Sequence, residues 1–249
     1  MFDSGALKAR LTDVRDRIAR AANRAGRDPA SVRLIAVSKT FSADHIRAAA
    51  DAGQLDFGEN KIQEGLRKIE ETGNLALRWH LIGHLQSNKA KQAARFDAIH
   101  SIDAGSLLRK VEDAAAAAGR RVDVLIQVDL AKEPTKYGVA PEDVRPILHV
   151  AQSCQAARLR GLMLLPPAFD DPEGARGYFA ALRSLRDDLA KDCSDPAMLA
   201  ELSMGMSHDF EVAVEEGATM VRVGSAIFGP RTYRAPGLSN PQGAADRED

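Results

Sequence analysis

The sequence predicts a single-domain α/β protein: a closed (β/α)8 barrel of the TIM type, preceded by one extra N-terminal helix. Three observations support this fold class. Eight short apolar segments recur along the chain, helix-like amphipathic segments lie between them, and 249 residues is an ordinary length for one such barrel. Alternating strands and helices produce parallel sheets. Eight units fit a closed barrel better than an open sheet, which usually has about five or six strands.

The individual elements follow from local patterning. A leading helix is predicted over residues 6–25, ending near Gly26. The predicted strands are residues 32–37, 55–57, 79–82, 98–102, 124–128, 159–164, 202–203 and 220–223. Helices are predicted over residues 43–52, 106–118, 142–156 and 172–190. Ser42 and Asp171 are predicted N-caps, because short polar side chains accept hydrogen bonds from the first free amides of a helix.

The domain organisation is predicted to be simple. One domain is expected over residues 1–234, and a flexible tail over residues 235–249, which are rich in Pro, Gly, Ala and charged residues. No composition break or linker indicates a second domain, so we expect none.

Composition limits the classes of partner and location. The 34 basic and 35 acidic residues nearly cancel and form no long block of one sign, so neither a nucleic acid nor a membrane is an expected partner. Cys154 and Cys193 lie far apart without a CxxC pair, which argues against a disulfide framework or a structural zinc site. No apolar run reaches the roughly 18 residues of a membrane span, and the N-terminus lacks a signal-peptide pattern. We therefore expect a cytoplasmic protein.

Chemistry in such barrels sits at the C-terminal ends of the strands, and Lys39 directly follows the first apolar strand. Burial of the stem of a lysine against apolar walls lowers its pKa, because desolvation disfavours the ammonium form. The neutral amine is the form that condenses with an aldehyde to give a Schiff base. The alternative is a solvated lysine at the end of a strand, and the residue alone does not distinguish the two.

A phosphate site is predicted at the end of the last strand. Gly224 would let the backbone approach a ligand, and Ser225 offers a hydroxyl and a free amide. Ser203, at the end of the seventh strand, is expected to share the same phosphate. Simple helix capping by Ser225 is the alternative.

The histidines do not predict a metal site. His80 and His84 are four residues apart, but their surroundings indicate a strand that turns into a loop, so they would not share a helical face. The remaining histidines are expected at the surface or at the edge of the core: His45, His100, His149 and His208.

Seven parts of the chain, between about residue 7 and residue 233, resemble one known family, the pyridoxal phosphate homeostasis proteins (also called the YggS/PROSC family). The matching parts are AVSKT at 36–40, FGEN at 57–60, WHLIGHLQSNK at 79–89, SID at 101–103, RGLM at 160–163, LSMGMS at 202–207, and VRVG with AIFG across 221–229. They occur in order and coincide with the predicted strand ends, which makes the resemblance specific.

The resemblance implies a barrel of the kind that forms the N-terminal domain of alanine racemases, with pyridoxal 5′-phosphate (PLP) as its cofactor. Lys39 matches the lysine that forms the Schiff base in the family. Gly224 and Ser225, together with Ser203, fall where such proteins hold the phosphate.

The resemblance also assigns residues around the cofactor ring. Arg222 falls where racemase-like barrels place an arginine against the pyridine nitrogen, and Asn60 falls where a polar group from the second strand faces the ring. The chain departs from its relatives at Lys61, where a tyrosine is frequent, so the role of this side chain stays open.

A cofactor carrier is therefore expected rather than an efficient enzyme. An arginine cannot give up a proton to the ring nitrogen, so the ring would be a weak electron sink. Racemases of this type add a second base from another domain and a dimer partner, and the sequence predicts neither here. The expected role is to carry or buffer PLP for vitamin B6 homeostasis, with apo PLP-dependent enzymes as possible recipients and a monomer as the expected state. A slow PLP-dependent racemase or lyase, and a sugar-phosphate enzyme without PLP, stay open as alternatives.

Overall fold

The computed structural model describes residues 3–131, 137–193 and 195–229. Eight parallel strands pair in sequence order, and the last strand pairs with the first to close the barrel. They are β1 Arg33–Val37, β2 Asp56–Glu59, β3 Arg78–Leu81, β4 Ala98–Ile102, β5 Val122–Val128, β6 Ala157–Leu164, β7 Glu201–Ser203 and β8 Met220–Val223. The predicted fold class is confirmed, and each predicted strand is found within two residues of its expected bounds. The predicted tail over 235–249 lies outside the described residues.

Helices connect the strands and cover the outside of the barrel. They are α1 Ser4–Arg24, α2 Ala43–Asp51, α3 Ile62–Glu71, α4 Ala90–Ala93, α5 Gly105–Ala117, α6 Val144–Ala151, α7 Arg176–Ala190, α8 Phe210–Glu215 and α9 Ser225–Phe228. No helix within the described ranges is long and apolar enough to cross a membrane.

The leading helix α1 is amphipathic and belongs to the barrel wall. Leu7, Leu11, Val14 and Ile18 recur at intervals of three and four residues, so they share one face, and all four are buried. The Asp3 carboxylate caps the helix by accepting a hydrogen bond from the amide of Ala6 at 3.0 Å. The apolar face packs against α2, α8 and α9.

One of the two predicted N-caps is found and the other is not. Asp171 caps as predicted, accepting from the Glu173 amide at 3.0 Å. Ser42 makes no side-chain cap bond, because its hydroxyl pairs with Nδ1 of His45 at 2.9 Å instead.

The helix predicted over residues 142–156 is shorter than expected. A 3₁₀ turn at Pro141–Asp143 precedes α6, which ends at Ala151. Beyond it, the Glu112 carboxylate accepts hydrogen bonds from the amides of Gln155, Ala156 and Ala157 at 3.1, 2.9 and 2.6 Å. Amides bound by a side chain from α5 are not free to continue a helix, so the chain turns directly into β6.

Candidate functional site

A cavity of ≈ 410 Å³ lies at the C-terminal ends of β1, β2 and β8, and we call it the mouth cavity. Five of the six residues predicted from the sequence line it: Lys39, Asn60, Arg222, Gly224 and Ser225. Parallel pairing brings them together, because Ile35 and Ala36 of β1 lie in register with Arg222 and Val223 of β8. Val37, Ile82 and Leu165 form its apolar wall.

Arg222 is buried and its position is set by three hydrogen bonds. One guanidinium nitrogen donates to the Ser203 hydroxyl at 2.5 Å, and the other donates to the Leu164 carbonyl at 2.8 Å. The backbone amide of Arg222 donates to the Gly205 carbonyl at 3.0 Å. Burial lowers the pKa of Arg222 to about 10. The guanidinium therefore remains protonated at neutral pH, and it can donate hydrogen bonds but not accept them.

Ser203 does not line the mouth cavity, which corrects its expected placement beside Gly224. Its side chain is fully buried in the barrel interior, where the hydroxyl accepts from Arg222 and bonds Nδ1 of His100 at 2.9 Å. His100 in turn contacts His80 at 3.0 Å between ring nitrogens, and Nε2 of His80 lies 2.9 Å from the Asp56 carboxylate. Ser203 therefore lies beneath the cavity, in contact with Arg222.

This buried chain has one consistent direction of donation. With one N–H on each ring, Nε2–H of His80 donates to the Asp56 carboxylate, Nδ1 of His80 accepts from Nε2–H of His100, and Nδ1 of His100 accepts from the Ser203 hydroxyl. Burial and the nearby positive charges hold the pKa of His100 well below its usual value, so its ring is neutral. The expectation that His100 lies at the core edge is wrong, since its side chain is fully buried.

Two backbone amides converge at the β8 end of the cavity. The amides of Gly224 and Ala226 both donate to one oxygen, the hydroxyl of Ser207, at 3.1 and 3.5 Å. Two N–H groups that converge on one acceptor could donate equally to a phosphate oxygen. A Cβ at position 224 would lie 3.3 Å from the carbonyl oxygen of Val37, so glycine here allows β8 to pack tightly against β1.

Two polar residues of the cavity were not identified as site residues from the sequence, Ser207 and His208. Both belong to the turn after β7, in which Gly205 has a φ of 91° and the buried Asp209 accepts from the Met206 amide at 2.6 Å. The SMGMS segment marked this turn, but the sequence did not show which of its two serines faces the cavity. Nε2 of His208 bonds the carbonyl of Asp170 at 3.0 Å, and the side chain is exposed.

Comparison with known proteins gives the same fold. The family model for the N-terminal domain of alanine racemase matches residues 10–232. Solved alanine racemases have the same fold at low identity: that of Corynebacterium glutamicum superposes with a TM-score of 0.71 at 16% identity, covering 93% of this chain and 63% of that one. Fold and site together therefore define an alanine-racemase-type barrel with a lysine at its mouth.

More similar relatives narrow this class. Pyridoxal phosphate homeostasis proteins of Aquifex aeolicus and Pseudomonas aeruginosa are 42% and 43% identical, over 90% and 91% of this chain and 98% and 96% of theirs. The structure of PipY from Synechococcus elongatus with PLP bound has a TM-score of 0.79 at 39% identity, covering 90% of this chain and 100% of that chain. This chain belongs to the pyridoxal phosphate homeostasis protein family.

Proposed function

We propose that this protein binds PLP in the mouth cavity, with Lys39 as the Schiff-base lysine, and carries or buffers the cofactor for vitamin B6 homeostasis. The observation that carries the proposal is that Lys39 shares one cavity with the amides that converge beside Gly224. An amine for the aldehyde and N–H donors for the phosphate are the two groups that PLP requires. The names of the 42–43% identical relatives support the same role.

The residues present fit the cofactor in size and in chemistry. A volume of ≈ 410 Å³ falls within the range of roughly 300–1,000 Å³ that is typical of small-molecule sites. Val37, Ile82 and Leu165 offer an apolar surface for a flat ring. We propose that Gly224, Ser225 and Ser207 hold the phosphate, that Asn60 faces the ring, and that Ser203 contributes only by holding Arg222.

Carriage rather than catalysis follows from the properties of Arg222. When bound, PLP supplies an aldehyde and an electron-withdrawing ring, which is strongest when its nitrogen is protonated. A guanidinium facing that nitrogen donates a hydrogen bond and keeps the nitrogen unprotonated, which favours holding the cofactor over stabilising a carbanion. Solvent reaches the cavity past Met206, which is 37% exposed, and past the exposed His208.

The proposed acceptors are apo PLP-dependent enzymes in the cytoplasm, with the barrel over residues 1–234 acting as a monomer. The test loads the protein with PLP, reduces it with borohydride and maps the modified peptide. Loaded protein is then mixed with an apo-enzyme whose activity reports transfer. Modification of Lys39 and recovery of apo-enzyme activity faster than release into buffer are expected. A protein that stays colourless with PLP would overturn the proposal and favour a sugar-phosphate enzyme.

A slow racemase or lyase is the second candidate, and one observation favours it. His208 places a second titratable side chain in the cavity that holds Lys39. Assays of the pure protein against the common L- and D-amino acids, with Lys39→Ala and His208→Ala as controls, decide between the two. Turnover of about 1 s⁻¹ or more that is lost in both variants would replace the carrier with an enzyme.

A further inference from the structure

The backbone on both sides of Lys39 is held by four buried or half-buried side chains, which we call the Lys68 cluster: Ser38, Glu59, Glu64 and Lys68. The ammonium of Lys68, fully buried, donates to the Ser38 carbonyl and to one oxygen each of Glu59 and Glu64, all at 2.7 Å. The Ser38 hydroxyl donates to the same oxygen of Glu59 at 2.6 Å. The residue before Lys39 is therefore held through both its carbonyl and its side chain.

The residue after Lys39 is held by the same cluster. The amide of Thr40 donates to Glu64 at 2.6 Å. Thr40 has a φ of 73°, and it is the one residue other than glycine with positive φ in the described part of the chain. A threonine disfavours this conformation, because its β-branched side chain crowds the backbone. The hydrogen bond to Glu64 helps to offset that cost.

The charges of the cluster are not explained by stability alone. One cation, Lys68, faces two carboxylates, and the second oxygen of the buried Glu59 has no hydrogen-bond partner among the described residues. Burial raises the pKa of Glu59. Burial would also raise the pKa of Glu64, but hydrogen bonds from Lys68 and Thr40 outweigh it and leave that pKa below its ordinary value. Apolar side chains of similar size often stabilise a core as well or better than buried ions.

We propose that Glu64 and Lys68 are positioning residues for Lys39: they hold residues 38 and 40 so that the Lys39 amine is presented to an aldehyde in the mouth cavity. This inference rests on the proposed function, because it assigns the cluster a role in covalent attachment. The cluster acts on Lys39 and not on the phosphate end of the cavity, where Gly224 and Ser207 lie.

The test compares two ligands that share a ring and a phosphate. PLP carries the aldehyde that Lys39 attacks, whereas pyridoxine 5′-phosphate carries an alcohol and binds without a covalent bond. Glu64→Gln keeps the shape of the side chain and removes its charge. We expect the Kd for PLP to rise about tenfold or more, since the hydrogen bonds from Lys68 and Thr40 to residue 64 lose their charge assistance, and the Kd for pyridoxine 5′-phosphate to stay within about twofold. Glu71→Gln, the same change at the exposed end of α3, is the matched control and should alter neither Kd.

A rise in Kd by the same factor for both ligands would show a purely structural role and overturn the inference. An unchanged Kd for PLP would overturn it as well. If wild type and the Glu71→Gln control both fail to bind PLP, the proposed function fails instead. If Glu64→Gln does not fold, as judged by circular dichroism, Ser38→Ala takes its place. That variant removes one bond to Glu59, and the same selective loss of PLP binding is expected of it.

Discussion

Phosphate contacts should dominate the affinity of the mouth cavity, and removal of the phosphate from the ligand measures this directly. Two amides, those of Gly224 and Ala226, are available to a phosphate oxygen. Hydrogen bonds to a charged group are worth about 1.5–3 kcal/mol each, which gives about 3–6 kcal/mol for two. The anion must also displace the Ser207 hydroxyl from those amides, so the lower bound is the safer estimate. We therefore expect pyridoxal to bind about 100-fold more weakly than PLP.

The assay is an absorbance titration of the Lys39-dependent band with each aldehyde. Ser225→Ala should weaken binding of PLP more than binding of pyridoxal, because it removes a hydroxyl that is proposed to contact only the phosphate. Ser203→Ala is the matched control: its hydroxyl holds Arg222 beneath the cavity, so the substitution should affect both ligands by the same factor. Kd values for PLP and pyridoxal within about threefold of each other would refute the phosphate site at this strand end.

Three further outcomes are expected. Lys39→Ala should abolish covalent attachment of PLP and leave the melting temperature of the cofactor-free protein within a few degrees, because the lysine lies at the barrel mouth; a collapse of the fold would contradict this. In the folded protein His100 stays neutral, because its pKa is held well below the ordinary value. In the unfolded chain the same side chain binds a proton once the pH falls below its ordinary pKa of about 6.5, so acidification favours the unfolded state. From this group, the free energy of unfolding should fall by about 1.4 kcal/mol per pH unit as the pH drops below about 6.5. Urea unfolding at a series of pH values should show a smaller fall per pH unit for His100→Gln than for the wild type, and equal falls would contradict the assignment. Gly177→Ala in α7 should raise the free energy of unfolding by about 0.5–1 kcal/mol, since a Cβ there meets nothing within 4 Å, and a lower melting temperature would be the contrary result.

Much of the fold could be predicted from the sequence, because local patterns of apolar residues indicate the strands and helices. Short apolar segments alternate with amphipathic ones, so strand positions and the closed parallel topology follow from periodicity and from a count of eight. Lys39, Gly224 and Ser225 were predictable because the parallel strands of a barrel end at one rim, and Asn60 and Arg222 were assigned through the family resemblance. Helix ends were less predictable: Glu112 binds the amides of residues 155–157 from another unit, and no local pattern encodes that contact.

The tertiary structure alone decided which polar side chains serve the cavity and which serve the core beneath it. Ser203 and Ser207 are four residues apart in one segment, but β7 ends at Ser203 with its side chain inside the barrel, and the turn at Gly205 carries Ser207 to the mouth. In the sequence, His100 is not grouped with its hydrogen-bond partners, because these lie 20 and 103 residues away along the chain. Hydrogen bonds across the barrel depend on the register of the paired strands, and a linear sequence does not display that register.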